Sequence, residues 1–132
     1  MIGIVIVAHG GLAREYLAAV EHVVGKQPGV LAVNFEADCS RENKQSEIIA
    51  AVKAVDKGQG VVVVTDLFGG SPCNLSLEAC KDEQRRIIFG ANLPMLVKLA
   101  KSRRRPLDEA VRAAIASGRK YIDSRIVAPE TP

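Results

Sequence analysis

No apolar run in this chain approaches the roughly 20 residues that a membrane-spanning helix requires. The run over residues 2–8 has no basic segment before it, and charge returns at Arg14 and Glu15, so it does not read as a targeting signal. Cysteine is scarce and odd in number: Cys39, Cys73 and Cys80 form no CxxC pair, which argues against a disulfide scaffold and a zinc site and makes a reducing cytoplasm the expected location. An excess of one charge is also missing. Lys and Arg number 18 against 15 Asp and Glu, and a net +3 is too small to imply a nucleic-acid partner. One basic cluster stands out, Arg103, Arg104 and Arg105 beside Lys98 and Lys101; it reads either as a solvated turn after a helix or as a patch that meets a partner or an anion. There is no internal repeat, linker or low-complexity segment.

What is present suits one domain with a real core: 132 residues, 48% hydrophobic and 25% charged. Strand and helix patterns alternate. Strands are expected over 2–8, 30–35, 61–65 and 86–90, and a short last one over 121–127. The third, four valines and a threonine without polar alternation, reads as a strand buried on both faces of a parallel sheet. Helices are expected near 11–25, with Leu12, Tyr16, Leu17, Val20, Val23 and Val24 as the apolar stripe, and near 43–57, with Ile48, Ile49, Val52 and Val55 inward. A third starts at Ser71-Pro72 with Ser71 as N-cap, a fourth runs from Asn92-Leu93-Pro94 to about Ser102, and a last one opens at Pro106 and stops at Gly118. Cys73 and Cys80, seven apart on the predicted third helix, read as packing residues on one face. This order predicts a doubly wound α/β open sandwich with a mainly parallel sheet and helices on both faces. The domain is expected to span 1–127, with 128–132 a flexible tail.

Such folds bind ligands at the carboxyl ends of strands, where the strand order reverses. His9 ends the first strand and precedes Gly10-Gly11; Asp66 ends the third and precedes Gly69-Gly70-Ser71-Pro72. If strands one and three are neighbours at the switch point, His9 and Asp66 meet. A neutral imidazole is a competent nucleophile near neutral pH. A carboxylate bonded to one ring nitrogen fixes the tautomer and stabilises the charge that grows on the ring as the other nitrogen attacks. Backbone N–H groups of Gly10 and Gly11, and the helix start at Gly70 with the Ser71 hydroxyl, are the expected donors to a phosphoryl group. His22 is expected on the exposed side of the first helix and outside the chemistry. The segment 90–95 reads as a loop near the site or a simple strand-to-helix turn.

Three blocks, Ile4-Val5-Ile6-Val7-Ala8-His9-Gly10, Thr65-Asp66-Leu67-Phe68-Gly69-Gly70-Ser71-Pro72-Cys73-Asn74 and Gly90-Ala91-Asn92-Leu93-Pro94-Met95-Leu96, occur in the order and spacing of a known family. The chain resembles the mannose-type EIIA component of the bacterial phosphoenolpyruvate-dependent sugar phosphotransferase system. The resemblance implies a phosphohistidine relay in which His9 takes a phosphoryl group from the phosphocarrier protein HPr and passes it to an EIIB acceptor. Asp66 would hold the unphosphorylated ring nitrogen, and Ser71 with nearby backbone would hold the phosphate. It further implies no metal, no organic cofactor and a homodimer in which the strand at 121–127 crosses to the partner. Membrane contact would be only indirect, through a permease complex. Because the sequence stops at Pro132, no EIIB domain is expected on this chain, which suits a separate EIIB or a regulatory endpoint of the relay.

Other readings compete. The phosphotransfer subunit of a dihydroxyacetone kinase system has a similarly placed histidine but usually a different loop after the aspartate. A tetrapyrrole metal chelatase would want a second ligand in the cleft, and His22 is badly placed for that. Histidine phosphatases need arginine before the His-Gly pair, where Ala8 stands. A binding module switched by phosphorylation of His9, without sugar transport, is the non-enzymatic alternative.

Overall fold

The computed structural model describes residues 1–67 and 69–128. The first strand, β1 (Gly3–His9), is buried at every residue but the last. Its side chains alternate between two helical layers. Ile4, Ile6 and Ala8 join a core with α1 (Leu12–Val24), α4 (Leu93–Lys101) and α5 (Leu107–Lys120), whereas Val5 and Val7 join one with α2 (Arg41–Val55). β3 (Val61–Thr65) divides in the same way, with Val62 and Val64 on the first side and Val61 and Val63 on the second. That two-sided burial is the reason neither strand shows polar alternation.

With β2 (Val30–Phe35) and β4 (Arg85–Ile88), these strands form a four-stranded sheet in the order β2-β1-β3-β4, every ladder parallel. The chain winds outward from β1 to β2, then returns to place β3 on the other side of β1. The order therefore reverses between β1 and β3, with Val7 opposite Thr65, so the residues that follow both strands emerge side by side. The expected doubly wound parallel sandwich is the observed one.

Several local readings differ from the structure. The third helix, α3 (Ser71–Ser76), is short and gives way to a 3-10 turn at Glu78–Cys80, so Cys73 and Cys80 are not on one helix. Gly70, not Ser71, occupies its N-cap position. Gly118 does not end α5, which runs on to Lys120; a Cβ there would lie 3.0 Å from Met95 Cβ, so the glycine serves the close packing of α5 on α4. Segment 121–127 forms no strand. Ile122, Ile126 and Val127 in it are 74%, 97% and 86% exposed, and a strand needs a neighbouring edge to bond, which this segment lacks among the described residues. Of the α1 stripe, Leu12 and Val23 are exposed. The expected tail over 128–132 lies, from 129 on, outside the described residues.

Arg103 is neither solvated nor available to a ligand. It is 4% exposed, and its guanidinium donates from Nε to the Ile2 carbonyl (2.8 Å) and from Nη1 to Gln27 Oε1 (3.2 Å), while burial lowers its pKa. It fastens the α4–α5 connection to the start of β1, at the edge opposite His9.

Candidate active site

β1 ends on His9 and the chain turns at once into α1. Gly10 makes the turn with φ +58°, a left-handed conformation that disfavours a side chain. Its N–H donates to the Phe35 carbonyl at 2.8 Å, so this amide closes the turn and is not the free phosphate donor that the sequence suggested. Gly11 takes the N-cap position of α1 with open space around its Cα.

Asp66, one residue past β3, meets His9 as the strand order requires. Its Oδ2 lies 2.9 Å from His9 Nδ1 and accepts the His9 backbone N–H at 3.1 Å. One oxygen thus holds both the ring and the main chain of the same residue. The second bond is informative, because a backbone N–H only donates. It keeps Oδ2 an acceptor, so Nδ1 carries the ring proton and donates it as a hydrogen bond to the carboxylate, which leaves the Nε2 lone pair free. The carboxylate is mostly shielded, 13% exposed, while the imidazole is 48% exposed. Phe35, opposite His9 in the β1–β2 register, packs edge-on against the ring at a centroid distance of 6.4 Å.

Gly70 closes the other side. A Cβ on it would stand 3.1 Å from His9 Cε1 and 3.6 Å from Nε2, so the missing side chain leaves the ring room. Asn74 ties this loop down, its Nδ2 donating to the Gly69 carbonyl and its N–H to the Gly70 carbonyl. Ser71 follows Gly70 directly, and its Oγ accepts a hydrogen bond from Arg41 Nη1 at 3.2 Å.

Beneath the pair, the Ala91 N–H donates to the Thr65 carbonyl and the Tyr16 hydroxyl donates to the Ala91 carbonyl, each at 3.1 Å. The start of the 90–95 segment therefore sits beside the base of Asp66. The Tyr16 pKa is raised, first by burial and then by the negative charge of Asp66, so the phenol stays neutral next to the carboxylate. His22 is exposed on α1 and takes no part.

The structure brings together His9, Asp66, Gly70 and Ser71, with Gly11 at the start of α1. It adds Phe35, Tyr16 and Arg41, which the sequence reading did not assign to the site. Tyr16 was legible only as a member of an apolar stripe. Arg41 carried a usable signal, since it follows the carboxyl end of the strand next to β1. Among the described residues, no three His, Cys, Asp or Glu side chains gather where they could hold a metal ion.

An exposed histidine, oriented by a shielded carboxylate at the switch point of a parallel sheet, is the candidate nucleophile of this α/β domain. The profile of the family described as PTS system fructose IIA component matches residues 3–116, and the chain belongs to this mannose-type EIIA family of the sugar phosphotransferase system. It is 32% identical over 124 residues to the mannose-specific EIIAB component of Escherichia coli K12, covering 92% of this chain and 38% of that protein. The sorbose-specific EIIA component of Lacticaseibacillus casei is 30% identical over 98 residues, 74% of this chain and 70% of that one. The solved mannose/sorbose-specific IIA subunit from Enterococcus faecalis superposes with a TM-score of 0.86 at 26% identity, over 98% of both chains. The chain thus spans well under half the length of the E. coli relative. It is a component of a phosphotransferase system, and among its described residues no helix is long and apolar enough to cross a membrane.

Proposed function

We propose that this protein is a phosphohistidine carrier that takes a phosphoryl group from HPr on His9 Nε2 and gives it to an EIIB acceptor in sugar uptake. The observation that carries this reading is the pair of hydrogen bonds that Asp66 Oδ2 accepts from the ring and the backbone of His9. In the forward step the Nε2 lone pair forms the new N–P bond while the bond from phosphorus to the donor breaks, its electron pair leaving with the donor. No proton has to move: the Nδ1 proton stays on the ring, hydrogen-bonded to Asp66, whose charge stabilises the ring as positive charge develops on it. Gly70 flanks the Nε2 side, and with Ser71 beside it and Gly11 at the start of α1 it is a candidate phosphoryl holder. Transfer to the acceptor is the same step reversed.

The unit would act as a homodimer in the cytoplasm, reaching the membrane only through a permease complex. Support for the dimer comes from β4, the last strand of the sheet, and from the exposed Ile122, Ile126 and Val127 beyond α5. A cleft of about 350 Å³ beside β4, lined by Ile87, Ile88, Met95 and Ile115 among others, has the apolar character to receive such a segment. We take 1–127 as the working domain.

The test is incubation with phosphoenolpyruvate, Enzyme I and HPr, followed by mapping of an acid-labile, base-stable phosphate. Label is expected on His9 and none on a folded His9→Ala variant. Label retained by that variant, confirmed by mass spectrometry, refutes the assignment.

A further inference from the structure

Arg41 is the first residue of α2, immediately after Ser40, whose Oγ caps the helix by accepting the Asn43 N–H. A cation is misplaced there. The amino end of a helix carries the positive end of its dipole and favours acidic residues, as neighbouring Glu42 illustrates. Arg41 therefore does nothing for α2 through its charge. Among the described residues it makes no ion pair with a carboxylate, and its one hydrogen bond goes to the neutral Ser71 Oγ. An exposed guanidinium with one hydrogen bond to protein, held where the dipole disfavours it, is available to an anion.

The place where it is held identifies that anion. Ser71 adjoins Gly70, and Gly70 faces His9 Cε1 and Nε2 closely enough that a Cβ would touch the ring. The connection from β2 to α2 thus brings Arg41 to Ser71, the residue next to the glycine that faces the free nitrogen. Because Oγ of Ser71 accepts from Arg41, the serine O–H is left to donate elsewhere. The Gly10 amide, by contrast, is spent on Phe35. A phosphoryl group on Nε2 presents three oxygens and a double negative charge, and a planar guanidinium fork suits that target better than any neutral donor nearby.

We infer that Arg41 is the cationic ligand of the phosphoryl group on His9, pairing with its oxygens beside the Ser71 hydroxyl. This rests on the carrier function proposed above. Arg41 then stabilises the phosphorylated state and the transfer leading to it, while the unphosphorylated protein parks the guanidinium on Ser71.

The test uses the full chain with phosphoenolpyruvate, Enzyme I and HPr, comparing wild type with Arg41→Gln and Arg41→Lys. Labelling of His9 in Arg41→Gln should be about tenfold slower, the effect of losing a charge-assisted hydrogen bond at an exposed site. Arg41→Lys, which keeps the charge and loses the fork, should fall between. A second readout needs no partner. In purified phosphoprotein, the side-chain N–H resonance of Arg41, assigned by its absence from Arg41→Gln, should move on phosphorylation and return when the phosphate is hydrolysed. Wild-type labelling rate in Arg41→Gln, or an Arg41 resonance indifferent to phosphate, overturns the inference and leaves the carrier function standing. Wild-type protein that takes no phosphate on His9 overturns both.

Discussion

The substitution Asp66→Asn separates the two things this side chain does. In serine proteases, removing the charge of the aspartate behind the catalytic histidine costs about 10⁴ in rate because the ring adopts the wrong tautomer. The geometry here predicts a much smaller loss. For the wrong tautomer, the amide nitrogen of the substituted side chain would have to face His9 Nδ1. It would then also face the His9 backbone N–H, which now donates to the same oxygen at 3.1 Å. Two donors would oppose each other, so the amide oxygen stays in place and Nε2 stays free. Only the charge is lost. Hydrogen bonds to a charged group contribute about 1.5–3 kcal/mol and neutral ones about 0.5–1.5, so the developing charge on the ring loses roughly 1–2 kcal/mol of stabilisation. That corresponds to about a 5- to 30-fold slower phosphorylation, towards the lower figure because the imidazole is 48% exposed and water screens the pair. The assay is the initial rate of label incorporation from phosphorylated HPr, with a thermal melt as the control for folding. An unchanged rate removes Asp66 from the mechanism. A loss of about a thousandfold or more in a folded variant refutes the argument that the backbone N–H enforces the tautomer.

Two further expectations follow from the same structure. Gly70 has φ −76° and ψ 168°, which alanine adopts without strain, but its Cβ would press on His9 Cε1 at 3.1 Å. Gly70→Ala should keep or slightly raise Tm while slowing phosphorylation by about three- to tenfold through displacement of the ring; a wild-type rate would show that the ring has slack. The Cys80 thiol has its pKa pushed up to about 11, chiefly by burial and against the opposing pull of Arg85. A group whose folded pKa is raised stabilises the fold below its unfolded value and loses that contribution as pH climbs through the folded one. Tm should therefore fall between pH about 9 and about 11, and less steeply in Cys80→Ala; identical slopes would mean that other groups govern the alkaline limb. At neutral pH this thiol should also alkylate slowly compared with a free cysteine.

Much of this protein is written in its sequence because the signals are local. Unbroken apolar runs over β1 and β3 announce strands buried on both faces. Asn92 announces the start of α4, where its side chain accepts the Met95 N–H at 3.0 Å. A histidine and an aspartate at the ends of two such strands, each before glycines, identify the candidate nucleophile and its orienting partner, since parallel strands deliver their carboxyl ends to one edge. Tertiary structure decided what depends on which groups compete for a bond. The Gly10 amide could serve a ligand or the Phe35 carbonyl, and the strand pairing assigned it to Phe35. Gly118 could end a helix or let two helices approach, and the closeness of Met95 settled it. Arg103 looked like one of three surface charges, yet the start of β1 buried it. Arg41 lies 32 positions from His9 and 30 from Ser71 in the sequence, and only the return of the chain across the sheet brings it to Ser71, beside the glycine that faces the His9 ring. Periodicity and capping act over a few residues and can be read along the chain; hydrogen-bond choice and burial of charge are fixed by neighbours that only the folded topology supplies.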